Sequence, residues 1–150
     1  MHTNRRDFLR TSARAIASAA TAVSLPTIVS PRVFGSPSSA APSDRIRIGC
    51  IGVGNRGGGN MKAFLNMTNR ADVVAVCEVD AQRLAEARQR VEKSTGRKCA
   101  AYSDYREMLD NKEVDAVVIT TPDHWHALPS IDACAAGKDV YCEKPLTLTI

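Results

Sequence analysis

The sequence predicts an α/β fold built on a doubly wound parallel sheet. Three observations predict it. Residues 46–60, IRIGCIGVGNRGGGN, read as a buried strand, a tight glycine turn and the start of a helix. Short apolar runs then alternate with helical patterns as β-α-β-α-β-α-β-α-β, an order that calls for parallel strands joined by right-handed crossovers. One of those runs, VDAVVITT at 114–121, is apolar without alternation, as expected of a strand covered on both faces.

The first strand takes its apolar character from Ile46, Ile48, Cys50 and Ile51, broken only by Arg47 and Gly49. Gly52-x-Gly54-x-x-Gly57 follows with the spacing of a dinucleotide-binding turn. Gly52 permits the tight turn, Gly54 lets the backbone approach a pyrophosphate, and Gly57 lets the helix pack close to the strand. The helix then directs its unpaired N–H groups at the phosphates. A glycine-rich surface loop would show the same three glycines. What favours the binding turn is the strand before it and a second strand, 73–77, one helix later. That strand ends in Glu78, about 20 residues beyond Gly57, where a ribose-binding acid is expected. A carboxylate there accepts from both ribose hydroxyls and repels a 2′-phosphate, so the cofactor is read as NAD, with NADP disfavoured. Asp80 competes for the role but is better placed as N-cap of the helix starting at Ala81.

Gly57, Gly58 and Gly59 make a poor helix start, since glycine costs about 1 kcal/mol in a helix interior. This helix must rely on the phosphate site and on packing by Met61, Phe64 and Leu65. The next, 81–94, carries one narrow apolar stripe, Leu84, Ala87 and Val91, and a solvated face of Arg, Glu and Gln; Gly96 ends it. A short strand spans 99–102. Ser103 or Asp104 then caps a brief helix, YREML, that closes near Asn111. Pro122 stops the strand at 114–121. Asp123-His124-Trp125-His126 follows its carboxyl end, the side where ligands bind in open α/β sheets. A helix from Ala127 tolerates Pro129 only in its first turn and ends at Gly137. The last strand, 139–143, delivers Glu143, Lys144 and Pro145 to the same side.

A length of 150 residues suits one domain of ordinary size. The net charge of +4 belongs to residues 1–43, which hold Arg5, Arg6, Arg10, Arg14 and Arg32 against Asp7 alone. The remainder is charge-balanced and offers no basic patch for nucleic acid. The five cysteines form no CxxC pair, so neither a metal site nor a disulfide framework is expected. His124 and His126 form an HxH without a third ligand in sight, short of a zinc site. Trp125 is read as a packing residue or a wall against the cofactor. Lys144 is either a surface ion pair with Glu143 or a functional lysine. Residues 1–43 read as an export signal and linker: paired arginines before Phe8-Leu9, an Ala/Ser/Thr/Val-rich stretch at 13–29, and Ser38-Ser39-Ala40 for cleavage. The arrangement resembles a twin-arginine signal and implies a periplasmic destination. The stretch is too short and polar for a stable membrane span.

Residues 45–150 resemble the N-terminal half of the Gfo/Idh/MocA oxidoreductases. The likeness rests on GVGNRG in the first turn, VCEVD after the second strand, TTPDHWH after the fourth and AGKDVYCEKPL around the fifth. It implies a Rossmann-type NAD(P)-binding domain over 44–150, truncated at its C-terminal end, with the family's C-terminal α/β domain absent from this chain. Gly52, Gly54 and Gly57, with Asn55 and Arg56 between them, would then bind the pyrophosphate and Glu78 the adenosine ribose. Thr121, Pro122 and His126 would line the nicotinamide side. Glu143, Lys144 and Pro145 match the family's EKP motif, with Lys144 reaching the substrate hydroxyl; Lys144 and His126 are the expected catalytic groups. The implied activity is hydride transfer between nicotinamide and a sugar or polyol, supplied here only by the nucleotide-binding half. A relative that breaks glycosidic bonds through transient oxidation, and an inactive nucleotide-binding fragment, are the alternatives. Homo-oligomers are expected of the full-length protein only. Glu78 where many relatives carry Asp, and the additional Gly58 and Gly59, are departures from the family pattern.

Overall fold

A computed structural model describes residues 40–148. The twin-arginine signal and its cleavage site lie outside the described residues. The chain forms β1 (Ile46–Ile51), α1 (Asn55–Leu65), β2 (Ala71–Cys77), α2 (Ala81–Thr95), β3 (Ala100–Tyr102), α3 (Tyr105–Leu109), β4 (Ala116–Ile119), a 3-10 turn (Asp123–Trp125), α4 (Ala127–Ala135) and β5 (Asp139–Cys142). All strand pairs are parallel, in the order β3-β2-β1-β4-β5. The chain builds outward from β1 to β3, then crosses over to place β4 against the other side of β1. The strand order therefore reverses between β1 and β4, where open α/β sheets bind ligands.

Each sheet face has its own core. On one, Ile48, Cys50, Val73 and Val118 meet Met61 of α1 and Ala87 and Val91 of α2, with Phe64, Leu65 and Leu84 packed against them. On the other, Ile51, Ala75, Val117 and Ile119 meet Tyr105, Met108 and Leu109 of α3 and Ala133 of α4. The apolar stripes expected of the first two helices are the ones that pack. Gly49, the break in β1, has a reason in this second core: a Cβ there would lie 2.6 Å from Met108 Sδ, and Met108 is fully buried.

Charges pin the strands' amino ends. Arg47 grips Asp115 with Nη2 to Oδ1 at 2.7 Å and Nε to Oδ2 at 3.0 Å, and its backbone N–H donates to the same carboxylate. Buried Asp72 is paired by Arg97 and Arg45. Burial pushes the Asp72 carboxyl up, but the hydrogen bonds and charges of the two arginines outweigh it and hold the group below the usual carboxylate range.

Some boundaries differ from the sequence reading. The helix α1 starts at Asn55, so the three glycines sit inside it. The strand β2 starts two residues early, at Ala71, because Ala71 and Asp72 pair with Ile46 and Arg47. The strand β4 is shorter than 114–121: Val114 N–H donates to Asn111 O in a turn, and past Ile119 only Thr120 N–H still reaches Ile51 O.

Candidate functional site

The carboxyl ends of β1, β2 and β4 open into a cleft of about 540 Å³, walled by the glycine turn, Glu78, Thr120–Pro122, Trp125 and the start of α3. Gly52 holds a left-handed conformation at φ 78°, and a Cβ there would lie 2.8 Å from Thr120 O. At Gly57 a Cβ would fall 2.0 Å from Gly52 O, so helix and turn touch backbone to backbone. Gly54 is different: its nearest neighbour would be Arg83 Nη1 at 3.6 Å. The protein itself leaves room for a side chain there, so the glycine serves whatever enters the cleft.

The helix α1 begins at this turn. The first N–H groups of any helix lack an intrahelical partner. The next two helices each cap one of theirs: Asp80 accepts from Arg83 N–H at 3.0 Å and Asp104 from Arg106 N–H at 2.8 Å. Asp80 is thus an N-cap, as its position implied. The start of α1 has no side-chain cap and no acid in its first turn; its N-cap is Gly54. Asn55 and Arg56 are exposed beside those N–H groups and line the cleft. An uncapped helix start that points into a cleft suits an anion.

Glu78 stands at the tip of β2 with its carboxylate turned to the glycine turn. One oxygen accepts from Val53 N–H at 3.1 Å, the other from Val79 and Asp80 N–H at 2.9 and 3.3 Å. These bonds fix the carboxylate and brace the turn, a second task that its spacing did not announce. Thr121 lines the cleft, and its buried Oγ1 has no hydrogen-bond partner among the described residues. A buried hydroxyl left so is open to a water or a ligand group in the cleft. Pro122 and Trp125 are exposed on the same wall. Cys77 also lines it, but burial pushes its thiol up to about 12, so it is no nucleophile.

The EKP segment lies beyond the cleft wall and is tied to it at two points. Glu143 forms a two-bond pair with Arg56, at 3.0 and 3.3 Å, which holds its carboxyl below the usual range. The partner expected as one alternative, Lys144, is instead exposed. His126 differs most from its expected place. It is 1% exposed, with Nδ1 2.6 Å from Pro145 O and Nε2 2.8 Å from Thr121 O. It supports the cleft from behind, whereas the resemblance set it on the nicotinamide side as a catalytic group. His124, its partner in the HxH, is exposed with its ring near Trp125, so the two imidazoles serve different surroundings. The sequence reading gives Ser103 and Asp104 only a capping role and Arg83 and Arg106 none, yet all four line the cleft with Glu78.

The arrangement can hold an elongated ligand with an anionic middle against α1 and a diol against Glu78. Comparison with known proteins agrees. The model of an oxidoreductase family with an NAD-binding Rossmann fold, Gfo/Idh/MocA, matches residues 46–150. A glycosyl hydrolase family 109 protein of Shewanella pealeana is 35% identical across 100% of this chain and 35% of its own length. An alpha-N-acetylgalactosaminidase of Shewanella oneidensis is 31% identical across 98% of this chain and 34% of its own. The chain thus spans about a third of the length of these relatives. The crystal structure of scyllo-inositol dehydrogenase from Lactobacillus casei with bound NAD(H) and scyllo-inositol matches with a TM-score of 0.62 and 28% identity, over 70% of this chain and 29% of that one.

Proposed function

The chain belongs to the Gfo/Idh/MocA oxidoreductases through its NAD-binding Rossmann domain, and from that premise we propose that it is the nucleotide-binding half of an enzyme oxidising or reducing a secondary alcohol carbon of a sugar or polyol. The observation that carries this reading is the uncapped start of α1 beneath a glycine with room above it. Bound NAD supplies the hydride chemistry. The chain's residues supply the rest. The first N–H groups of α1, with Asn55 and Arg56 beside them, hold the pyrophosphate. Glu78 accepts from the ribose hydroxyls through its remaining lone pairs and disfavours a 2′-phosphate. The free hydroxyl of Thr121 meets the nicotinamide end, with Pro122 and Trp125 excluding water. Lys144 reaches the substrate hydroxyl and eases removal of its proton. The likeness to the scyllo-inositol dehydrogenase favours a polyol or sugar. Export by the twin-arginine route to the periplasm is part of the same proposal and rests on Arg5-Arg6 and the stretch after them.

A second reading has its own support. The curated relatives that cover nearly all of this chain carry glycoside hydrolase names. In that case oxidation is transient, and the complete enzyme turns over without consuming added NAD.

Calorimetric titration of the chain with NAD and NADP, wild type beside Glu78→Ala, tests the common ground of both readings. NAD binds the wild type, NADP binds at least about tenfold more weakly, a gap of about 1.4 kcal/mol, and Glu78→Ala narrows that gap. Equal binding of the two cofactors by the wild type removes Glu78 from the ribose site.

A further inference from the structure

Two carbonyl oxygens flank one buried ring. His126 is fully enclosed at the start of α4, and its two nitrogens face Pro145 O and Thr121 O at hydrogen-bond distance. A carbonyl can only accept, so the ring nitrogen that carries the hydrogen donates to one loop while the other nitrogen packs against the second.

The two carbonyls belong to different loops. Thr121 follows β4 and lines the cleft; Pro145 follows Lys144. On the other side of Lys144, Glu143 is held twice: its N–H donates to Ile119 O at 3.0 Å and its carboxylate pairs with Arg56 in the first turn of α1. Lys144 is therefore an exposed residue between two anchored neighbours. One anchor leads to the pyrophosphate end of the cleft and the other to the Thr121 end. The ring's own backbone is fixed as well, because Ser130 Oγ donates to His126 O at 2.6 Å. Arg56 is the main cause of the lowered Glu143 value.

We propose that His126 is a positioning residue that ties the Lys144–Pro145 segment to the loop after β4, thereby setting where Lys144 stands. The inference rests on the reading of Lys144 as the group that meets the substrate. It gives His126 no contact with cofactor or substrate; its action passes through Pro145 and Thr121. The Arg56–Glu143 pair fixes the other end, so both anchors are needed to define the lysine's backbone.

Backbone nitrogen-15 relaxation at Lys144, on the full chain, tests it directly. In the wild type its amide is expected near the rigid value of about 0.85, and in His126→Phe, which keeps a ring without donors, below about 0.6, with Val91 in α2 unchanged. An unaltered Lys144 amide in that variant overturns the proposal. Should His126→Phe fail to fold, His126→Asn, whose shorter amide cannot reach both carbonyls, is read in the same way: a lowered Lys144 value is expected and an unaltered one overturns the proposal. Loss of the functional reading is separately visible, because a wild type that binds no NAD in calorimetry leaves the Lys144 relaxation untouched.

Discussion

A methyl group added at Gly57 would fall 2.0 Å from the Gly52 carbonyl oxygen, whereas one added at Gly54 would meet nothing nearer than Arg83 Nη1 at 3.6 Å. The two substitutions must therefore differ in kind. Gly57→Ala forces helix and turn apart and is expected to lower stability by ~1–3 kcal/mol, read as an earlier denaturation midpoint. Gly54→Ala is expected to leave the midpoint in place. A third residue sets a pH dependence. The Asp72 carboxyl lies below its ordinary value because the hydrogen bonds and charges of Arg97 and Arg45 outweigh the effect of burial. The stability it contributes is complete above the ordinary carboxylate range and is lost as the pH falls through the lowered value. Asp72→Asn is expected to be less stable at neutral pH and to show a flatter acid limb below about pH 4 in a urea series. Spacing alone made the glycines and Glu78 legible. It could not reveal the three N–H groups on Glu78 or the two carbonyls on His126, because the chain reaches those contacts only once the sheet has formed.

Helix starts carry the argument at the next scale. Asp80 and Asp104 cap α2 and α3, and each sits where a reader of helix signals would look for a cap. Asp80→Ala is expected to cost about 1 kcal/mol, measured by urea denaturation with an unchanged slope. The start of α1 breaks the same rule, with Gly54 as N-cap and glycines in its first two turns. Departures of this sort mark sites of function, and here the departure coincides with the cleft. The elements were legible because Leu84, Ala87 and Val91, or Val117, Val118 and Ile119, carry their period plainly. Their ends were less so. The strand β4 stops at Ile119 because the chain must turn into Thr121 and Pro122, and its first expected residue, Val114, is taken by a turn with Asn111.

Across the whole described molecule, alternation of strands and helices implied a parallel sheet, and right-handed crossovers left few orders to choose from. The reversal between β1 and β4 explains why the glycine turn, Glu78 and Thr121, separated by dozens of residues, share one cleft. That cleft depends on two cores that share the sheet. Met61 is fully buried in the core on the α1 side, and Met61→Ala is expected to cost 2–5 kcal/mol, about the usual loss for truncating a buried methionine, with the strands above it loosened together. The measurement that tests the account most directly is the NAD-dependent rise in melting temperature of the full chain, wild type beside Gly54→Ala. Saturating NAD should stabilise the wild type by about 2.7 kcal/mol at a hundredfold excess over its dissociation constant. Gly54→Ala should melt like the free wild type and gain little from NAD. No rise in the wild type, or an equal rise in both, would contradict the account.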